Sequence, residues 1–506
     1  MAAALPADAA VTASAEAPEA ATAAAASAAS EAMEVAAPAA AAAASAAASA
    51  EPAGDAAEEG GAGDDEEGDD GKKKRKRKRG KRKKKGAGNA VGAAAPLVKG
   101  SGETGAKKQA EYRGIKSTHF TDYYAKYGQS EPPSVPVAEL FTSLGMPFPE
   151  GEHMEFPETT TRVTAAEARE VDAEEADARL LALREGAEVH RQTRAFASSL
   201  IKPGIKLRDM CEALENKNRE LVGERGLERG IAFPTGCSLN HVAAHYTPNG
   251  GDDTELGAGD VMKVDFGTQI NGHIIDSAWT VSFDPRFDAL LEAVREATEA
   301  GIRAAGVDVT LGDVGAQIQE VMESFEVELE PGRLYPVKAI QNLNGHSIAP
   351  YQIHAGKSVP IVANGDPTRM EAGELFAIET FGSINGRAEV HEDLECSHYM
   401  KNIHAPHTTL RLKSARNLLS HITKTFGTLG FCRRWLERDD GGSTFLHGTS
   451  GKQERYMGAL RHLCEAGLVD AYPPLCDVVG SYTAQYEHTI VIKGGCKEVV
   501  SRGTDY

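Results

Sequence analysis

The sequence predicts an α+β fold large enough for an enzyme. Three features carry that expectation. Two helical stretches followed by strands occur in that order twice between residues 165 and 493. Asn271-Gly272 separates two apolar, β-branched runs, the strongest short-range signal for a β-hairpin. The first aromatic residue is Tyr112, which leaves about 390 residues for one large domain or two ordinary ones with full cores.

The chain has 506 residues and a formal net charge of −19, but the charge falls in three blocks. Residues 1–71 hold 15 acids and no Lys or Arg, 72–85 hold 13 Lys/Arg and no acid, and 86–506 hold 59 acids against 42 bases. Alanine fills 30 of the first 50 positions. A segment so poor in large apolar side chains cannot offset its chain entropy by burial. Residues 1–110 are therefore expected to be a disordered extension, Ala-rich, then acidic, then polybasic, and 111–506 the folded domain.

Within the folded part, 165–200 is rich in Ala, Glu, Leu and Arg and reads as a long helix stopped by Pro203-Gly204. Residues 207–222 place Leu207, Met210, Cys211, Leu214, Leu221 and Val222 at helical spacing. The period then changes. Val261 to Thr268 is strand-like, and Ile274, Ile275, Trp279, Val281 and Phe283 form the return strand. Helices follow near 286–304 and 313–325, the second with Val314, Ile318, Val321, Met322 and Phe325 on one face. Further strands are expected at 374–381 and 483–493. Residues 401–470 read as a mostly helical insertion with a polar loop at about 438–452.

No strongly apolar run reaches 18 residues, so no membrane span is expected. No basic stretch precedes an apolar one at the N-terminus, and the acidic, Arg-free opening is the opposite of a transit peptide. Seven scattered cysteines without a CxxC pair read as reduced thiols of a cytoplasmic protein.

The hairpin carries the chemistry. With Asn271-Gly272 as a two-residue turn, Ile270 pairs with His273 and Gly267 with Asp276. Asp265 lies two residues along from Gly267, so Asp265 and Asp276 share one face. Both sit in apolar strands, where two carboxylates repel unless protonated or bridged by cations. A charged outer face, or one carboxylate kept protonated, explains the pair equally well at this point. Other segments add to it. His346 lies in the Gly/Asn-containing loop Asn342–Ile348, with His354 eight residues on. Glu379 interrupts the apolar strand Glu374–Phe381, and Glu487 the strand Ser481–Ile492. Four acids and one imidazole suit a pair of divalent ions better than a structural zinc.

These segments resemble the type 2 methionine aminopeptidases. The matching stretches are Phe233–Asn240, Ala243–Asn249, Lys263–Thr268, Asn342–Ile348, Ala377–Gly382, Cys396–Met400 and Tyr472–Asp477, within a similarity covering roughly 112 to 506. The resemblance implies a pita-bread fold: two pseudo-symmetric halves around a curved antiparallel sheet, with a helical insertion at about 401–470. It implies removal of the initiator methionine from nascent chains whose second residue is small. Asp265 is then a ligand of one divalent metal, His346 and Glu379 of a second, and Asp276 and Glu487 of both; Co, Mn, Fe and Zn suit the set equally. Glu379 carries the proton of the attacking water, His354 stabilises the oxyanion, and His245 contacts the nitrogen side of the scissile bond. Phe233, Ile353, His354, Phe381, His398, Gly430 and Tyr472 surround the methionine side chain. Gly430 departs from the Ala expected of the family, and the missing methyl is expected to widen the pocket wall.

His241 and His245 are four residues apart, but the Glu of a zinc-protease HExxH motif is missing, so His241 is read as incidental. Cys237 and Cys396 are read as buried thiols. The run Lys72–Lys85, without interleaved aromatics, favours the phosphate backbone of ribosomal RNA over base reading. A nuclear-localisation signal or contact with the acidic Asp64–Asp70 are the other readings. By family analogy translation initiation factor two is a further partner; the protein is expected to be a cytoplasmic monomer. Two rival functions remain at this stage: cleavage of X-Pro bonds by a same-fold relative, and a metal-free pita-bread protein that binds nucleic acid.

Overall fold

A computed structural model of the chain describes residues 128–157, 178–437 and 453–506. The expected N-terminal extension, the first part of the 165–200 helix and the 438–452 loop lie outside these residues. All described residues belong to one compact unit, Lys99–Tyr506.

Six strands and four helices build the frame of the molecule. Helices α1 (Ala178–Leu200) and α2 (Leu207–Val222) precede strands β1 (Arg229–Leu239), β2 (Val261–Ile270) and β3 (His273–Ser282). Helices α3 (Asp288–Ala304) and α4 (Leu311–Met322) precede β4 (Asn344–Ile348), β5 (Leu375–Ile384) and β6 (Tyr482–Ile492). The expected helix–helix–strand order thus occurs twice. Strands β1, β2 and β3 form one antiparallel sheet in that order, while β5 lies between β6 and β4 in a larger one.

Apolar spacing explains which faces are covered. Val294, Ala297, Ile318 and Met322 of α3 and α4 pack with Ile378, Phe381 and Ile490 in one core. Met210 and Leu214 of α2 pack with Val264, Phe266 and Trp279 in another. Each such aliphatic or aromatic side chain, fully buried, contributes about 1.5–3 kcal/mol. Helix α1 also buries charged groups, always in pairs: Arg191 with Glu188 and Arg194 with Asp505, both at 2.8 Å.

The two sheets meet at β3 and β6, and side chains join them. Thr489 Oγ1 accepts from the Asp276 N–H at 2.8 Å and donates to the Asp276 carbonyl at 2.6 Å. Ser277 Oγ donates to the Glu487 carbonyl at 2.8 Å and Thr280 Oγ1 to that of Gln485 at 2.7 Å. A row of β-hydroxyls thus brings two acid-bearing strands together.

The insertion has its own core, including Leu418, Ile422, Phe431, Trp435 and Leu463. It is not merely helical. Besides helices Lys413–Thr425, Arg433–Glu437 and Gln453–Glu465, it contributes strands Gly430–Cys432 and Val469–Tyr472, both paired with His398–Lys401. His398 stands opposite Tyr472 in that small sheet.

Candidate functional site

The β2–β3 hairpin has the register that a two-residue turn imposes: Ile270 opposite His273, Gly267 opposite Asp276, Asp265 opposite Ala278. Asn271 and Gly272 have φ of 50° and 82°, the left-handed pair of a type I′ turn. Asp265 and Asp276 consequently share a face. On the second sheet Glu379 of β5 stands opposite Glu487 of β6, and His346 of β4 stands opposite Ala377.

His346 is therefore in a strand, not in the loop expected from its Asn and Gly neighbours. Gly345 explains the difference. A Cβ there would fall 2.5 Å from the Ala377 carbonyl oxygen, so only glycine lets β4 approach β5 this closely.

The seam between the sheets draws these groups into one cluster. His346 Nε2 lies 3.6 Å from Asp276 Oδ2 and 3.6 Å from Glu379 Oε1. Donor atoms of Asp276, His346 and Glu487 all fall within 4.8 Å of one another. Gln485 Nε2 donates to Asp265 Oδ2 and to Glu379 Oε2, each at 3.2 Å. Asp265 Oδ1, Asp276 Oδ1 and both Glu487 oxygens are buried with no hydrogen-bond donor. Burial, then the charges of Asp265 and Glu379, pushes the Asp276 carboxyl well above the usual carboxylate range, and burial, then Asp276, Glu379 and Asp265, does the same to Glu487. Burial, with the neighbouring Asp265, does the same to Glu379. Burial raises Asp265 to about 7. Buried acceptors without donors on like-charged neighbours are the donor set a divalent cation satisfies. Asp265, Asp276, His346, Glu379 and Glu487 fit that role.

Next to the cluster opens a cavity of about 230 Å³. Thirteen residues singled out in the sequence line it: the five just named with Phe233, His245, Ile353, His354, Phe381, His398, Gly430 and Tyr472. A chain of rings runs across the wall. His346 and His354 centroids are 4.5 Å apart, His354 and Tyr472 6.3 Å, Tyr472 and His245 5.7 Å, His245 and His398 6.2 Å. Burial lowers the imidazole of His245 to about 4, helped by His354, and that of His398 to about 3, helped by His245. Burial also lowers His354. The pocket imidazoles are thus neutral near pH 7.

Residues 182–415 match the metallopeptidase family M24. A protein of Arabidopsis thaliana named methionine aminopeptidase 2A is 55% identical over 75% of this chain and 82% of its own length. Methionine aminopeptidase 2-1 of Talaromyces stipitatus is 55% identical over 74% of this chain and 82% of its own. The chain belongs to the methionine aminopeptidase 2 family. It is accordingly a metallopeptidase with a pita-bread fold and uses divalent metal. Among solved structures, that of a thermophilic Arx1 superposes with a TM-score of 0.52 at 18% identity, over 62% of this chain and 88% of that one, a likeness of fold alone.

Two features of the site differ from the sequence expectation or escaped it. No open space stands where alanine would place its methyl: a Cβ at Gly430 would meet Phe233 Cβ at 2.9 Å. Gln485 escaped notice because an amide in a strand carries no signal of its own. Its place two residues before Glu487, on the same face, is what sends it to the acids. His241 does not line the cavity. Burial pushes the Cys237 thiol well above its ordinary range and raises that of Cys396, so neither is poised as a nucleophile. Among the described residues no helix is long and apolar enough to cross a membrane.

Proposed function

We propose that this chain hydrolyses the peptide bond after the initiator methionine of nascent polypeptides whose second residue is small. The observation that carries the reading is the meeting of the carboxylate cluster with a neutral, ring-lined pocket in one cavity. Two divalent cations, of Co, Mn, Fe or Zn, held by Asp265, Asp276, His346, Glu379 and Glu487, supply Lewis-acid activation of water and of the scissile carbonyl when bound. Asp265 would help hold one cation, His346 and Glu379 the other, and Asp276 and Glu487 would contribute to holding both.

The remaining work falls to side chains. Glu379 takes the proton from the attacking water and delivers it to the leaving amine. His354 donates toward the carbonyl oxygen as charge develops there. His245 holds the nitrogen side of the bond. Phe233, Ile353, Phe381, His398 and Tyr472 enclose the thioether chain, and the cluster's carboxylates attract the substrate's ammonium, which makes a free N-terminus a requirement. Close packing beyond the scissile bond admits only a small second residue.

The enzyme acts at the ribosome in the cytoplasm as a monomer, drawn to ribosomal RNA by the 13 bases of Lys72–Lys85, with translation initiation factor two as a further partner. The test is hydrolysis of Met-X-Ser peptides with varied X, with and without added metal, beside Ala-Pro peptides. Metal-dependent turnover of Met-Ala-Ser that fades as X grows supports the reading; faster turnover of Ala-Pro overturns it.

A further inference from the structure

We propose that Ser397 is a positioning residue that holds His245 and His398 in place for methionine removal; the inference rests on the functional reading given above. Ser397 is fully buried immediately before the strand His398–Lys401. Its hydroxyl reaches three groups around the cavity. It accepts from the Thr247 N–H at 3.3 Å, donates to the His245 carbonyl at 3.4 Å, and lies 3.0 Å from His398 Nδ1. A hydroxyl has one proton and two acceptor sites, so three partners use it fully.

His245 needs such a partner. Its φ is 64°, in the left-handed region that a residue with a Cβ rarely enters. A conformation of that kind persists only where the surroundings over-determine it. Three contacts do so. The Tyr246 carbonyl accepts from the Cys237 N–H at 2.8 Å, the Tyr246 N–H donates to Ser238 Oγ at 3.4 Å, and Ser397 binds the peptide groups on both sides of the turn. Of these partners Ser397 alone also touches the second pocket imidazole. Serine at this position therefore links the His245 turn to the strand that carries His398 and pairs with the insertion.

The loop has a second anchor that makes the role of Ser397 separable from folding. Arg434 Nη2 donates to Thr247 Oγ1 at 3.1 Å. Its guanidinium also makes two bonds, of 2.8 and 2.7 Å, to buried Glu215 of α2, which accepts from Trp435 Nε1 at 2.7 Å as well. This clamp holds the Thr247 side chain and the insertion to the frame whether or not the Ser397 hydroxyl is present. The His398 ring also bonds the Pro234 and His245 backbone, so loss of that hydroxyl removes one anchor of the His245 peptide and one of the ring while leaving the loop in place. The metal-ligand candidates lie on β2 to β6, outside the segments that Ser397 contacts.

The test is a double-mutant cycle on the full chain, with Ser397→Ala, His245→Ala and the double variant assayed on Met-Ala-Ser, and metal content and thermal midpoint followed in parallel. Ser397→Ala is expected to lower kcat roughly 10–100-fold with metal content unchanged. In the His245→Ala background most of that cost is expected to disappear, leaving only what its hold on the His398 ring contributes. Ser397→Cys, which keeps the volume and a weaker donor, is expected to recover part of the rate; should Ser397→Ala fail to fold, the Ser397→Cys cycle decides by the same criterion. Losses that simply multiply in the double variant, or metal lost in step with activity, overturn the proposal. His245→Ala at the parental rate instead refutes the role given to His245 in the functional reading, so the two failures are distinguishable.

Discussion

Glu379 and Glu487 stand directly opposite one another across β5 and β6. Like charges at such a position destabilise a sheet, and Asp276 and Asp265 add to the repulsion on both glutamates or on their neighbours. Without cations the fold retains the cluster by keeping protons on it. A carboxyl whose folded pKa exceeds its unfolded value contributes stability at low pH and loses it as pH rises through the folded value. The metal-free protein is therefore expected to show a thermal midpoint that falls as pH rises through about 7, the value to which Asp265 is raised. Cations compete with those protons, so their affinity should rise over the same range. The measurement is calorimetric melting against pH with and without saturating metal. A metal-free midpoint that is flat through neutrality refutes the account.

The same electrostatics separates stability from activity at Glu487. Glu487→Gln replaces a carboxyl that the metal-free cluster holds protonated with an amide of nearly equal volume. The metal-free variant is expected to melt above the metal-free parent at neutral pH, because the cost of protonating that carboxyl is gone. Its metal content should fall and its turnover drop by at least about a hundredfold, at the upper end of what disturbing a ligand shell costs. Metal analysis paired with melting curves checks both halves. Full metal loading in the variant excludes Glu487 as a shared ligand.

How much of this was legible in the sequence depended on how local the determinant was. The Asp265–Asp276 relationship follows from a two-residue turn, since a hairpin's register is set by its loop. The duplicated helix–helix–strand order follows from spacing of apolar residues. His346 reads as a loop residue from sequence but stands in a strand, because Gly345 looks like a loop signal when its actual use is close approach to Ala377. Gln485 was invisible, because its role depends on the acids of two other strands. The pocket wall made by His398, Gly430 and Tyr472 is assembled from the strand His398–Lys401 and the two strands paired with it, and only resemblance to a family pointed to it; spacing alone did not.

The polybasic run yields a prediction that needs no structure. Thirteen Lys/Arg within Lys72–Lys85 neutralise phosphates by releasing counterions, and the resulting affinity falls steeply with salt. Removing residues 1–110 should leave hydrolysis of Met-Ala-Ser intact, since every residue named in the candidate site lies between Phe233 and Glu487. Co-sedimentation with ribosomes should weaken and lose its salt dependence. Ribosome binding unchanged at every salt concentration removes the run from the account of partners.

Gly430 and Phe233 offer the sharpest check on pocket shape. The strand Gly430–Cys432 lies against β1, and the Cβ of an alanine at position 430 would sit 2.9 Å from Phe233 Cβ and 3.5 Å from Pro234 Cδ. Carbon atoms at 2.9 Å repel, so either Phe233 or the insertion strand must yield. Overpacking of this kind costs about 1–3 kcal/mol. Phe233 and Gly430 both line the cavity, so the strain does not stay in the core. Phe233→Leu in the same chain relieves the ring but keeps the Cβ that makes the contact, so it should not rescue Gly430→Ala. The expected outcome is a lower thermal midpoint for Gly430→Ala, together with a changed ratio of kcat/KM between Met-Ala-Ser and a peptide with the straight-chain residue norleucine in place of methionine. An unchanged ratio with a lowered midpoint means that the strand moves as a body and Phe233 keeps its place. A gain in stability means that the 2.9 Å approach is relieved by a small shift and that the glycine is not required.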